Sequence, residues 1–311
     1  RAEPDVEKAV RGADLVMLAA PIGTTEALLR KMAPALDGTT IVTDAGSVKG
    51  HVATAAKAVF GSVPPWFVPR HPIPGSERSV LEAATVDLYR NHKVILTPDN
   101  ATDPQALRLV QRLWQAMGAD VLLMDVPQHD AVLARTSHLP HLLAFSLVDT
   151  LAKDNENQDI FRYAAGGFRD FTRIASSDPT MWHDIFIANR DSMLDVIDQF
   201  SAGLDQFRRA VEQQDSQALL GIMTRAKAAR DHFTKMLPKR AYTKTKTENN
   251  IVFNAPPPPH VQPPFGMPGA KAIYQHVLAG VQGGELAQES DHVGGGTDVA
   301  KIVQEPGHVK L

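Results

Sequence analysis

The chain has no cysteine among its 311 residues, which excludes disulfides, thiolate metal sites and cysteine nucleophiles. It also has no strong excess of charge, since 32 basic and 35 acidic residues give a net charge of −3, so the composition does not indicate a nucleic-acid partner. The longest apolar run, residues 15–22, is too short to cross a bilayer. We therefore expect a cytoplasmic protein with neither a membrane nor a nucleic-acid partner.

Short apolar segments alternate with helical patterns through the first 125 residues. The predicted strands are 13–21, 40–44, 66–68, 92–97 and 119–124, and helices are predicted after the first, second and fourth of them. Strands that alternate with helices at this spacing favour a parallel α/β sheet with ligand sites at the strand ends. Residues 1–125 are therefore predicted to form an incomplete Rossmann-like domain.

After Pro127 the pattern is helical throughout. We predict a helical stretch interrupted at Pro140, one long helix with apolar residues from Met181 to Val211, and a helix capped by Asp215. A helix with so much apolar surface must bury it, and a second copy of the chain is the expected partner. Residues 126–237 are thus predicted to form an all-α substrate and dimerisation domain, and residues 238–311 a proline-rich linker with a largely irregular tail.

Two polar clusters follow predicted strands of the sheet. Ala20, Pro21 and Ile22 end the first strand, where open backbone can meet a cofactor. Ser47 lies in a glycine turn after the second strand, so its hydroxyl and nearby N–H groups can face a ligand. Simple capping of the next helix by Ser47 is an equally open interpretation.

Histidines form two further clusters. His71 lies between rigid prolines, and an imidazole can take up a proton near neutral pH, so it is a candidate general base. His138 and His141 are three residues apart and follow the pair His129–Asp130. We favour hydrogen bonds to a substrate or to helix ends over a metal site, because no carboxylate or cysteine completes a ligand set.

Arg173 precedes a predicted helix whose N-cap is Asp178 and whose opening turn contains Trp182. Its apolar neighbours predict a partly dry setting, in which a guanidinium requires an anion. That anion is either a ligand or an internal acid such as Asp170 or Asp184.

Five stretches together resemble the prephenate dehydrogenase family, including its cyclohexadienyl and arogenate members. They are DAGSVKG (44–50), HPIPGSE (71–77), NHKVILTP (91–98), HDAVLARTSHLPH (129–141) and GGFRDFTRIASSDPTMW (166–182). The resemblance covers about residues 13–237. It implies NAD- or NADP-dependent oxidative decarboxylation of prephenate or arogenate in tyrosine biosynthesis, by a homodimer paired through its helical domain.

The resemblance also implies roles for individual residues. His71 would be the catalytic base, with Ser47 holding the substrate hydroxyl, and Arg173 would bind a substrate carboxylate. The remaining pocket residues would be His138, His141, Gly166 and Trp182, and the cofactor would meet Ala20, Pro21, Ile22 and Ser47.

The chain departs from the family pattern at its beginning. The Gly-x-Gly-x-x-Gly turn that binds the pyrophosphate is not present after Arg1, so we expect poor dinucleotide binding. A non-catalytic dimerising remnant is therefore the alternative function. A dehydrogenase of 3-hydroxy acids is less favoured, because the resemblance offers His71 rather than a catalytic lysine.

The tail has a second resemblance. Residues 267–273 are similar to the opening of 5-enolpyruvylshikimate-3-phosphate synthase, in which Lys271 would match a phosphate-contacting lysine. Ala272 and His276 depart from that pattern. The segment implies a fusion ancestry but is too short to support synthase activity.

Overall fold

The computed structural model describes residues 3–75, 85, 87–153, 163–236 and 301–303. The strands are β1 (Leu15–Leu18), β2 (Ile41–Asp44), β3 (Phe67–Val68), β4 (Arg70–Pro72), β5 (Lys93–Leu96), β6 (Asp120–Leu123) and β7 (Lys301–Val303). The first six α-helices are α1 (Val6–Val10), α2 (Thr25–Met32), α3 (Lys49–Phe60), α4 (Pro104–Ala116), α5 (Val126–Leu133) and α6 (Leu139–Ala152). The others are α7 (Gly166–Thr172), α8 (Pro179–Ala188), α9 (Arg190–Glu212) and α10 (Ser216–Met236).

The chain divides into two compact units. One contains Arg1–Val196 with Gly269–Leu311, and the other contains Ile197–Pro268. All the strands, and the candidate site described below, belong to the first unit.

The strands form two sheets whose pairings are mostly parallel, as the sequence predicts. One group of strands has the order β3-β2-β1-β7 and is parallel throughout, and another has the order β4-β5-β6. Strand β4 was not predicted, and its antiparallel pairing with β5 is an exception to the parallel pattern. Its prolines hide the strand in the sequence, because Pro72 has no N–H to donate and is tolerated only where the ladder does not need one.

Apolar side chains cover both faces of the sheet. In β1, Val16 and Leu18 enter a core made with α1, α2, α3 and α8, whereas Leu15 enters a second core with β5 and Trp114 of α4. This alternation follows from the two-residue period of a strand. Helices on both faces of a mainly parallel sheet make the fold Rossmann-like.

The interruption predicted at Pro140 lies elsewhere. Pro140 belongs to the first turn of α6, where a missing N–H costs little. The regular helix is instead broken just before it, by a π-helical turn at Ala134–His138. Turns of this kind often occur at functional sites, and this one ends at His138.

The single long helix predicted from Met181 to Val211 is also wrong. Helix α8 ends at Ala188, and α9 begins at Arg190 after a break at Asn189. Asn189 is buried, and its side chain bonds to other parts of the fold. The predicted cap of the last helix is confirmed, since the Asp215 carboxylate accepts a hydrogen bond from the Ala218 amide at 2.9 Å.

Of residues 238–311, the structure describes only β7. This strand pairs in parallel with β1, although no strand was predicted there. The segment 267–276, with its resemblance to the synthase, lies outside the described residues. Within the described ranges, every helix is too short or too polar to cross a bilayer.

Candidate active site

The turn between β2 and α3 is fixed by a buried ion pair. Asp44 ends β2, and its carboxylate contacts the ammonium group of Lys49 and accepts a hydrogen bond from the Arg70 amide at 3.0 Å. Lys49 also donates to the Arg70 carbonyl oxygen at 2.6 Å. Burial lowers the pKa of Lys49, while Asp44 acts in the opposite direction. The pair therefore joins β2 and α3 to β4, one residue before His71.

Capping of helix α3 by Ser47 was one of the two interpretations that the sequence left open. The residue at the N-cap position is Val48, whose side chain does not cap the helix, and the half-buried Ser47 precedes it. The acceptor is instead Asp130 of α5, whose two carboxylate oxygens accept from the amides of Lys49 at 2.9 Å and Gly50 at 2.7 Å. A Cβ at Gly50 would lie 2.7 Å from that carboxylate, so glycine is required for this approach.

His71 lies on β4, is buried, and is part of a hydrogen-bonded line. Its Nδ1 lies 3.0 Å from Nε2 of His129, and Nδ1 of His129 lies 2.7 Å from Oδ1 of Asp130. Burial lowers the pKa of His71 well below its usual value, and electrostatic interactions with His129 and Lys49 act in the same direction. His71 is therefore neutral at physiological pH, as a general base must be.

Asp130 is ionised in this setting. Burial acts to raise its pKa, but hydrogen bonds from His129, Gly50 and Lys49 outweigh that effect and lower the pKa below its usual value. The line behind His71 thus ends in a carboxylate.

His138 is linked to Asp130 through the side chain of Asn189. It is buried in the π-helical turn, and burial lowers its pKa to about 4. Its Nδ1 lies 3.1 Å from the amide nitrogen of Asn189, which also donates to the Asp130 carbonyl oxygen at 3.0 Å. The break between α8 and α9 therefore places an amide that links two buried groups of the site.

His141 and Trp182 form a stacked pair. Their ring centroids are 3.7 Å apart with an interplanar angle of 20°. His141 Nδ1 donates to the Ser137 carbonyl oxygen at 2.9 Å, so its other nitrogen remains an acceptor. Within the part of the chain that the structure describes, the buried indole N–H of Trp182 has no acceptor.

Arg173 differs from its prediction. It begins a short 3₁₀ turn after α7 and is exposed, so the partly dry setting expected from its neighbours is wrong. The reason is that Phe171 is itself exposed, and Phe168 and Ile174 are only partly buried. Gly166 is the first residue of α7 and is also exposed. Both lie on a segment that packs against α6, the helix of His141.

The structure therefore brings four of the predicted site residues into one network of contacts. His71, His138, His141 and Trp182 join through direct contacts with His129, Asp130 and Asn189. Ala20, Pro21 and Ile22 follow β1, and Ser47 follows β2, its parallel neighbour. Among the described residues, no group of three or more histidine and carboxylate side chains is arranged to hold a metal.

The sequence missed the parts played by Lys49, Asn189 and the His129–Asp130 pair. The adjacent histidine and aspartate were noted, but nothing local connects them to a strand some sixty residues away. For Asn189 the available signal was a polar residue inside an apolar helical pattern.

Mostly parallel strands covered by helices on both faces are typical of the nucleotide-binding class of α/β proteins, and here a helical second part follows them. Models of known families narrow this class. "Prephenate dehydrogenase, nucleotide-binding domain" matches residues 1–123, and "Prephenate dehydrogenase, dimerization domain" matches residues 125–225. The chain belongs to the prephenate dehydrogenase family and is by family an oxidoreductase.

Individual relatives agree with this assignment. The cyclohexadienyl dehydrogenase of Zymomonas mobilis is 39% identical over 73% of this chain and 77% of that protein. The prephenate dehydrogenase of Bacillus subtilis is 39% identical over 71% of this chain, but the match spans only 60% of that protein. The solved prephenate dehydrogenase of A. aeolicus, in complex with hydroxyphenyl propionate and NAD+, superposes with a TM-score of 0.69 at 36% identity, over 75% of this chain and 80% of that chain.

Proposed function

We propose that this protein catalyses the oxidative decarboxylation of prephenate to 4-hydroxyphenylpyruvate, or of arogenate to tyrosine, with NAD+ or NADP+ as the hydride acceptor. The observation behind the proposal is the buried neutral His71, held by His129 beside the turn that follows β2. The names of the related proteins supply the substrate class and the cofactor.

His71 suits the proton transfer that this reaction requires. Its Nε2 accepts the proton of the ring hydroxyl while hydride leaves the same carbon, which is thereby oxidised. The bond between the ring and its carboxylate then breaks, CO₂ leaves, and the electron pair makes the ring aromatic. His71 returns its proton to the ring oxygen, so no net proton is gained or lost. Bound NAD(P)+ would supply the hydride acceptor.

Other residues are suited to hold the substrate. The guanidinium of Arg173 matches the geometry of a carboxylate. The indole N–H of Trp182 is buried with no acceptor among the described residues, and His141 stacks on the same ring. Together with Ser47, His138 and Gly166, these groups form the proposed pocket. Its proposed effect is orientation of the reacting bonds.

The described residues fit one end of a dinucleotide. Ala20, Pro21, Ile22 and Ser47 follow two parallel neighbouring strands, whose carboxyl ends meet at one edge of the sheet. Ser47 is only half-buried, so this edge is open to a ligand. The Gly-x-Gly-x-x-Gly turn is not among the 311 residues, and we propose that these residues alone bind dinucleotide weakly. A micromolar Kd for NAD+ by calorimetric titration would contradict weak binding.

Turnover decides the proposed reaction. The purified chain is assayed with prephenate and with arogenate at saturating NAD+ or NADP+. Replacing His71 by asparagine should lower kcat by about 10² to 10⁴-fold with little change in KM, because a general base is lost. His92→Asn is the matched control, since the side chain of His92 forms an exposed hydrogen bond to the Arg90 carbonyl oxygen, outside the proposed site. A chain that dimerises yet turns over neither substrate would favour the non-catalytic alternative.

We further propose a homodimer formed through α9 and α10. Apolar side chains stay exposed along these helices, at Phe200, Leu204, Phe207, Val211, Leu220, Met223 and Phe233. Exposed apolar surface of this extent is typical of a protein interface. Sedimentation equilibrium should give a dimer for the wild type and a monomer for Leu204→Glu, and a monomeric wild type would contradict the proposal.

A further inference from the structure

Two residues behind His71 have no part in the reaction as described above. His129 and Asp130 are adjacent on α5, and both are buried, His129 completely. They complete the line Asp130 Oδ1, His129 Nδ1, His129 Nε2 and His71 Nδ1, with contacts of 2.7 and 3.0 Å. A buried polar line of this kind fixes the protonation of each member, because every nitrogen needs a complementary partner.

The position of each proton follows from the carboxylate end. Asp130 is ionised and can only accept, so Nδ1 of His129 must carry its proton. With this single proton on Nδ1, His129 has a lone pair on its other nitrogen, Nε2. That lone pair faces Nδ1 of His71 at 3.0 Å, so Nδ1 of His71 must be the donor. Neutral His71 therefore has its own lone pair on Nε2.

We propose that His129 and Asp130 are positioning residues that hold His71 in its Nδ1–H tautomer and so present Nε2 as the proton acceptor. The catalytic consequence rests on the proposed function, whereas the tautomer itself is inferred from the hydrogen-bonded line with a single proton on His129. When His71 becomes protonated, its Nδ1–H still points at the lone pair of His129, and the Asp130 carboxylate stabilises the positive charge through that ring.

The same carboxylate is anchored to the start of α3. It accepts hydrogen bonds from the backbone amides of Lys49 and Gly50. A helix N-terminus also stabilises a negative charge. Asp130 cannot turn away from His129 without breaking these two bonds. The position of Asp130, on which the proposed tautomer of His71 depends, is thereby fixed by the backbone amides that follow Ser47. Ser47 lies on the proposed cofactor side.

The tautomer can be measured without any activity. Long-range 1H–15N spectra of the [15N]histidine-labelled chain at pH 8 distinguish the Nδ1–H, Nε2–H and doubly protonated forms, and His71→Asn assigns the signal of His71. We expect Nδ1–H for both His71 and His129. His71 as Nε2–H, or His129 doubly protonated and donating to His71, would overturn the proposal.

Kinetics test the catalytic consequence with a matched pair of variants. His129→Gln keeps an acceptor for the His71 Nδ1–H, whereas His129→Ala does not. We expect His129→Ala to lower kcat by about 10 to 100-fold with KM within about threefold of wild type, because loss of the correct tautomer weakens a histidine base. His129→Gln should recover most of that loss. Equal kcat values for the two variants, or a loss confined to KM, would contradict a positioning role.

The two measurements separate this inference from the proposed function. If the wild type turns over neither prephenate nor arogenate but His71 is Nδ1–H, the proposed reaction fails and the tautomer assignment stands. If the wild type is active and His71 is Nε2–H, the reaction stands and the positioning role is wrong. Should His129→Ala not fold, as judged by circular dichroism, the tautomer in wild type and in His129→Gln still decides the matter.

Discussion

The two sides of strand β4 bury polar side chains in opposite ways. On one side His71 contacts His129, which in turn contacts the Asp130 carboxylate. That carboxylate also accepts hydrogen bonds from two backbone amides of α3. On the other side the completely buried Arg70 lies over Trp114, with its guanidinium carbon 4.0 Å from the ring centroid. Within the described residues, the three side-chain nitrogens of Arg70 have no hydrogen-bond partner.

The difference separates two kinds of buried polar group. The His71 side depends on particular donors and acceptors, so removal of one leaves others buried and unsatisfied. On the Arg70 side, the side chain is stabilised by stacking on Trp114 and by packing of its aliphatic part. Burial lowers the pKa of Arg70 to about 10. Only the main chain of Arg70, which bonds to Asp44 and Lys49, belongs to the hydrogen-bonded side. Substitutions should therefore have large effects on the first side and small ones on the second.

The largest loss of stability is expected from Asp130→Ala. It removes the acceptor for two amides of α3 and for His129 at once, and we expect the free energy of unfolding to fall by about 3 to 5 kcal/mol. Urea denaturation followed by circular dichroism measures the change. Asp125→Ala is the matched control, because Asp125 caps α5 through one exposed bond to the Gln128 amide, and it should cost about 1 kcal/mol. Equal losses of stability in Asp130→Ala and Asp125→Ala would contradict the prediction that Asp130 matters more than an ordinary helix cap.

A pH titration of stability should follow the histidine side alone. His138 has its pKa lowered from 6.5 to about 4, so the folded state binds fewer protons than the unfolded chain between those values. Its contribution is fully present above pH 6.5 and falls by about 3 kcal/mol as the pH drops towards 4. His71 acts in the same direction. The Arg70 side should not titrate there. The pKa of Arg70 is about 10, and burial raises the pKa of Tyr89, whose ring packs edge-on against Trp114.

Unfolding free energies measured from pH 7.5 to 4 check this prediction. His138→Gln should flatten the curve relative to wild type. An unchanged slope in this variant would show that His138 is not held neutral by the fold.

The smallest effect is expected from Arg70→Met. Methionine keeps much of the volume and removes a buried charge that lacks hydrogen bonds among the described residues, so stability should change by less than about 1 kcal/mol or rise. Lys49→Met sharpens the comparison, because it deletes an equally buried cation that is bonded to Asp44 and to the Arg70 carbonyl oxygen. That variant should cost about 3 kcal/mol or more. Similar thermal unfolding of the two variants would contradict the comparison.

Much of the fold was predictable, because its elements have local patterns. Five strands, the helices between them and the Asp215 cap follow from apolar runs, periodicity and capping residues. The errors occurred where a tertiary contact overrode the local pattern. The π-helical turn before Pro140 and the break at Asn189 are both at buried polar groups of the site. Strand β4 escaped prediction because its prolines resemble a loop.

The candidate site was predictable to a smaller extent. The stiff setting of His71 indicated a base, and the resemblance supplied its companions, but the exposure of Arg173 contradicted an inference from neighbouring apolar residues. The partner of His71 could not be found locally, since it is 58 positions away on another element. The roles of all the predicted site residues remain predictions, including those of His71, His138, His141 and Trp182.

By itself the sequence determined the α/β pattern, the helical second part, the lack of thiol chemistry and the presence of a rigid histidine, because each of these depends on residue type or short-range spacing. Only the tertiary structure decided which groups that histidine contacts. Its hydrogen-bonded line contains an imidazole and a carboxylate from a different helix, and contacts over such a separation depend on packing.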